Sequence, residues 1–225
     1  MIFDLMRNGL SIELVINLCV RVFIIFCVLP IHEYAHGFIA YKLGDNTAKL
    51  KGRLTLNPLA HVDPMGALMV LLVGFGYARP VPVNIGRFKR GKRKQYMALT
   101  AFAGPVSNLL MATIFTFLYC LVYHKFIFMS DAMAYVALFF SVAAQINISL
   151  AVFNLLPIPP LDGSRILNAF LPDRIYYKIM QYERYIVLGV FLLILTGALD
   201  APISLLSRLI LNGIYNILSL IFGIG

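Results

Sequence analysis

The feature that most limits what this chain can become is the length of its apolar runs. Residues 14–31 read LVINLCVRVFIIFCVLPI, and comparable runs lie at about 96–123, 132–157 and 184–201. Crossing a bilayer as a helix takes about 20 predominantly apolar residues, so runs of this kind read as membrane spans. Composition points the same way: 60% of residues are hydrophobic, 13% are charged and the mean hydropathy is +0.84. A soluble domain is about half apolar and a quarter charged. No polar stretch is long enough to bury a core of its own. The expected fold is all-α, a polytopic transmembrane helical bundle making one domain over residues 1–225.

The shorter segments qualify that picture. The first span should run from about residue 11 to 43 and end at KLGDN, where Gly44 supplies a helix stop. The GRLTL at 52–56 alternates polar and apolar residues, a short β-like segment, until Pro58 and Pro64 break it. Residues 65–78, MGALMVLLVGFGYA, are apolar but short for a crossing and are expected to be re-entrant. RPVPVN follows as extended chain, and then the basic run RFKRGKRK at 87–94. A last run, 203–222, carries Ser204, Arg208, Asn212 and Asn216 at four-residue spacing, a polar stripe along one helix face. Such a helix either lies in the interface or spans with its stripe turned into the bundle.

Charge sorts the topology and excludes a function class. The net charge is +9, but it sits in short loops flanking the apolar runs, where it sets orientation rather than a nucleic-acid surface. With 65–78 dipping and returning, the loops at 42–53, 79–94 and 158–184 share one face and collect 15 of the 19 Lys and Arg residues. The positive-inside rule makes that face cytoplasmic and the chain a multi-pass protein of the cell membrane. The RFKRGKRK run is expected to meet lipid headgroups as well. Cys19, Cys27 and Cys120 lie within apolar runs without metal-ligand spacing and read as packing residues. The first run lacks a small-residue cleavage site and leads straight into a histidine pair, so it is not expected to be a removable signal.

That pair carries the chemistry. In VLPIHEYAHGFIAYKLG, residues 28–44, His32 and His36 stand four apart and project from one helix face. This is the H-E-x-x-H arrangement, in which both imidazoles reach one zinc ion and Glu33 lies beside the metal-bound water. Ionisable groups at membrane depth are costly, which makes three in metal spacing a functional site. Zinc needs a further protein ligand. Asp162, in FNLLPIPPLDGSRIL, is the favoured candidate, because the prolines at 157, 159 and 160 forbid ordinary helix and let a short side chain be aimed inward. His61 and Asp63 are the alternatives.

HEYAH together with NLLPIPPLDGSRIL resembles the site-2 protease family of intramembrane zinc metalloproteases. GRLTLNPLAHVDPMG, PVPVN and AGPVSN support the resemblance in the same order along the chain. It covers most of residues 28–170 and is closest to a compact bacterial subgroup without an attached PDZ or CBS domain. The resemblance implies one zinc ion held by His32, His36 and Asp162, Glu33 as general base, and Asn154 near the site, steadying substrate or oxyanion. It implies transmembrane proteins as substrates, cut in or near their membrane segments. Asn108, in AGPVSN, is a further residue able to line the site. Two other readings are a catalytically silent homologue that binds membrane proteins and a metal transporter. The first would have lost Glu33 or a ligand; the second would show a second set of ligands along a path. The oligomeric state is left open.

Overall fold

The computed structural model describes residues 11–72 and 76–222, and every regular element among them is helical. Helix α1 (Ile12–Phe23) begins where the Ser11 side chain accepts a hydrogen bond from the Leu14 N–H. It passes through a π-helical stretch, Ile24–Val28, into α2 (Leu29–Lys42). The wide turn sits immediately before Pro30, whose missing N–H interrupts the ordinary ladder at that point. Together these elements form one apolar rod, Ile12–Lys42, of 31 residues. It ends at Gly44, whose φ of 105° only glycine adopts without strain.

Three short helices follow, α3 (Thr47–Leu50), α4 (Pro58–His61) and α5 (Pro64–Leu72). Asp63 starts α5 by accepting from the N–H groups of Met65 and Gly66, each at 3.0 Å. Beyond α5 the chain comes back, for Tyr77 lies so close against Gly66 that no Cβ fits between them. The run at 65–78 thus doubles back, with residues 73–75 outside the described residues. Arg21 ties the last turn of α5 to α1 by donating from Nη1 to the Val70 carbonyl at 2.8 Å.

The bundle is built on the antiparallel pair α6 (Arg93–Phe126) and α7 (Asp131–Leu155). Val20, Ile24 and Val28 of the first rod pack on Phe115 of α6 and on Ala143 and Ala144 of α7. Alanines at the contact let helix backbones approach closely, as membrane bundles favour. After α7 come α8 (Asp162–Asn168), α9 (Asp173–Gln181), α10 (Glu183–Leu195) and α11 (Asp200–Phe222). Helix α11 joins the bundle through Ile203, Ile210, Leu211 and Ile214, which cover Ala112, Ile148 and Val152.

Four helices are long and apolar enough to cross a membrane: Ile12–Lys42, Arg93–Phe126, Asp131–Leu155 and Asp200–Ile221. They differ from the expected set in one place. The apolar run at 184–201 is cut at Gly197, whose φ is 71°, leaving α10 with only 13 residues. At about 1.5 Å per residue that is roughly 20 Å, short of the hydrocarbon core. The fourth long helix is α11. Its apolar side faces the bundle while Arg208, Asn212 and Asn216 are exposed, so the polar stripe points outward rather than inward. The β-like reading of GRLTL is also corrected, since no strand occurs among the described residues. The backbone there is engaged locally instead: the Thr55 carbonyl bonds His61 Nε2 at 2.8 Å, and Asn57 caps α4.

Candidate metal centre

Helix α2 delivers His32 and His36 to one side, and three neighbours fix how they stand. The Nδ1–H of His36 donates to the Thr100 carbonyl of α6 at 2.8 Å. That choice of tautomer leaves the Nε2 lone pair pointing away from α6 and toward its partners. Gly104, one turn further along α6, lies directly under both rings, where any Cβ would overlap His36 Nε2 and His32 Cε1. Its lack of a side chain is what allows α6 to approach.

Asp162 arrives from the opposite end of the sequence. Leu156, Ile158 and Leu161 form successive tight turns after α7, and Asp162 opens α8. Gly163 sits beneath the carbonyls of Leu155 and Leu156, again with no room for a Cβ. This folded turn swings the carboxylate onto the histidines. Asp162 Oδ2 is 3.4 Å from His32 Nε2 and 3.2 Å from His36 Nε2, and the two Nε2 atoms are 3.0 Å apart. The side chains are only 7% exposed for His32 and 12% for the other two. Burial works against ionisation of Asp162, but the neighbouring His32 and His36 hold its carboxyl below the usual carboxylate range.

The donor set fits zinc. Tetrahedral zinc with bonds of about 2.0–2.2 Å to nitrogen and oxygen separates its ligands by about 3.3–3.5 Å, near the spacings observed. Two imidazoles and one carboxylate leave a fourth position open, as in catalytic rather than structural sites. His32, His36 and Asp162 are also the only group of three or more such side chains among the described residues able to hold a metal. His61 and Asp63 are employed elsewhere: His61 is buried against Thr55, and Asp63 caps α5.

Glu33 is buried and held from outside the helix. The Val81 N–H donates to its Oε2 at 2.8 Å. Pro80 and Pro82 carry no N–H, so Val81 presents the one amide donor of that stretch. Residues 79–84 form an extended segment secured at three further points. The Arg79 N–H donates to the His61 carbonyl at 2.7 Å, and Arg53 donates to the carbonyls of Arg79 and Pro80 at 2.8 and 3.3 Å. The fully buried Asp45 accepts from the Asn84 N–H at 2.6 Å, from the Thr47 N–H at 3.0 Å and from the Thr47 hydroxyl. Val81, in PVPVN, and Gly104, in AGPVSN, belong to motifs visible in the sequence, but their contacts with Glu33 and the histidines, like those of Asp45 and Thr100, are not. Asn154 lies in the last turn of α7, where its amide donates to the Leu150 carbonyl at 3.0 Å. Asn108, one turn beyond Gly104 on α6, is buried with both amide atoms unpaired among the described residues.

Membrane-length helices around a buried two-histidine, one-aspartate cluster define a membrane protein with a candidate metal centre. The family model for peptidase family M50 matches residues 120–197. Over 155 residues, 68% of this chain and 70% of the other, the sequence is 48% identical to "Putative zinc metalloprotease YwhC" of Bacillus subtilis. It is 29% identical to "Putative zinc metalloprotease Rip2" of Mycolicibacterium smegmatis over 76% of this chain and 65% of that protein. It is 29% identical to "Putative zinc metalloprotease MJ0611" of Methanocaldococcus jannaschii over 83% and 94%. No solved structure matches. The chain belongs to peptidase family M50, and it is a membrane protein and a zinc metalloprotease.

Proposed function

We propose that this protein is an intramembrane zinc endopeptidase that hydrolyses peptide bonds in or near the transmembrane segments of other membrane proteins. The observation that carries the reading is the meeting of His32, His36 and Asp162 within hydrogen-bond range, beside a buried glutamate, in a bundle of membrane-length helices. His32, His36 and Asp162 would hold the metal. Bound zinc supplies Lewis-acid polarisation and lowers the pKa of water toward about 7.

The protein's own groups do the rest. Glu33 takes the proton of the attacking water on its carboxylate and passes it to the departing amine, which is why a carboxylate must stand next to the histidines. The Val81 amide holds one oxygen of Glu33 and leaves the other to move protons. Asn154 turns its amide to the substrate carbonyl and steadies the developing oxyanion. The Thr100 carbonyl keeps His36 in the required tautomer throughout. The loops at 42–53 and 79–94 carry the positive charge and face the cytoplasm of the cell, with the centre opening to that side. Lipid headgroups contact the same loops.

The test is paired metal analysis and proteolysis in detergent or proteoliposomes. Wild-type protein is expected to carry about one zinc per chain and to cut a model transmembrane substrate. Glu33→Gln should retain zinc and lose cleavage by at least about a hundredfold, while Asp162→Ala should lose both. Cleavage surviving in Glu33→Gln would remove the proposed base, and full zinc in Asp162→Ala would remove the third ligand.

A further inference from the structure

One cation near the centre has no counter-charge. Arg53 is half-buried, and its Nε is buried and unpaired. Among the described residues its side chain hydrogen-bonds only two carbonyls, those of Arg79 and Pro80, and no carboxylate pairs with it. Those two carbonyls belong to the extended segment whose next residue, Val81, binds Glu33. At about 3.3 Å per residue, the Arg79 backbone lies roughly 7 Å along the segment from that contact. Arg79 and Lys51, both exposed, add positive charge to the same segment and loop. The acids of this region are already spent: Asp45 is buried on Asn84 and Thr47, and Asp63 caps α5.

A guanidinium held through Nη2 by carbonyls, with no carboxylate paired to it, leaves its Nη1 N–H groups for an anion. Ordinary transmembrane helices carry Lys and Arg on the cytoplasmic flank, which this charge repels. We propose that Arg53, with Arg79 and Lys51, is a carboxylate-receiving site that selects substrates bearing Asp or Glu beside the cleaved bond, on the flank nearest the basic loops. The proposal rests on the protease reading and names its substrate class. The shared alternative for a basic surface is an anionic lipid headgroup. Arg53 favours the substrate because its position is set by the segment that binds the catalytic glutamate rather than by the exposed 89–92 loop.

The experiment measures binding to full-length, zinc-loaded Glu33→Gln protein in a neutral maltoside detergent, which excludes lipid phosphate. The probes are fluorescent peptides with one apolar transmembrane core and flanks of Asp-Glu, Asn-Gln or Lys-Lys. The acidic peptide is expected to bind at least about tenfold more tightly than the neutral one, and the lysine peptide more weakly than either. Arg53→Gln and, separately, Arg79→Gln should shrink the acidic preference to about threefold or less. Arg79 is the safer variant, because its own fold contacts are made by its backbone. Equal binding of all three peptides, no binding of any, or a preference unchanged in both variants would overturn the proposal. So would Arg53-dependent binding to phosphatidylglycerol vesicles with no peptide preference in detergent. Failure of the protease reading has a different signature: the zinc-loaded wild type binds the acidic peptide selectively and never cuts it.

Discussion

Gly104 has no side chain, and the space where one would stand is filled by the imidazoles of His36 and His32. Gly104→Ala should therefore push α6 off α2 or rotate both rings, at a cost of about 1–3 kcal/mol in folding stability. Zinc per chain should fall with it, and full occupancy with an unshifted melting temperature would contradict the packing argument. The same residues set a pH response. Zinc requires neutral imidazoles and an ionised carboxylate. Protons therefore compete with the metal for these three side chains, and acid weakens binding. Zinc affinity should fall as pH drops from about 7 to about 5, measured by dialysis against a metal buffer. Undiminished retention at about pH 4 would be the contrary result. At this scale the histidine pair was legible because four-residue spacing on a helix is a local fact. Asp162 lies far along the chain; proline geometry favoured it over His61 and Asp63, and only the family resemblance singled it out.

The extended segment 79–84 is positioned by groups that leave little trace in a sequence. Pro80 and Pro82 announced extended chain, but not that the amide between them would meet Glu33. Asp45 reads as part of an ordinary helix-ending loop, yet it is fully buried and takes three hydrogen bonds. Asp45→Ala strands the Asn84 and Thr47 donors, a loss of about 1–3 kcal/mol. Proteolysis should drop in this variant while zinc stays, since no hydrogen bond or ion pair among the described residues joins the histidines or Asp162 to the segment. Loss of zinc in Asp45→Ala would show instead that the loop supports the metal cluster. Alternation in GRLTL suggested a strand for a related reason. Period-two patterning reports which residues face inward, not whether a neighbouring strand exists to pair with, and here the partners are His61 and α4.

For the whole molecule, hydropathy identified membrane residence and three of the four long helices, and it left 203–222 open between spanning and lying in the interface. The run at 184–201 has the right composition, but Gly197 turns the chain, and the fourth long apolar helix is Asp200–Ile221. Crossings by Ile12–Lys42, Arg93–Phe126 and Asp131–Leu155, with α5 doubling back, would put the 89–92 loop and α9 on one side and the α6–α7 turn on the other. Single cysteines in a cysteine-free background test this. Lys89→Cys and Arg174→Cys should be labelled only from the cytoplasmic side, and Phe128→Cys, in a side chain 98% exposed, only from the opposite side. Labelling of Lys89→Cys and Arg174→Cys from opposite sides would break the arrangement. The hydrogen bond from Val81 to Glu33 reaches across this architecture. In the proposed mechanism the metal ligands come from α2 and α8, whereas the Glu33 carboxylate is held by a segment that belongs to neither. Occupancy and competence would then be separable in this protein: a preparation, or a natural variant, could be fully metallated and still inert, and metal content alone would not grade its activity.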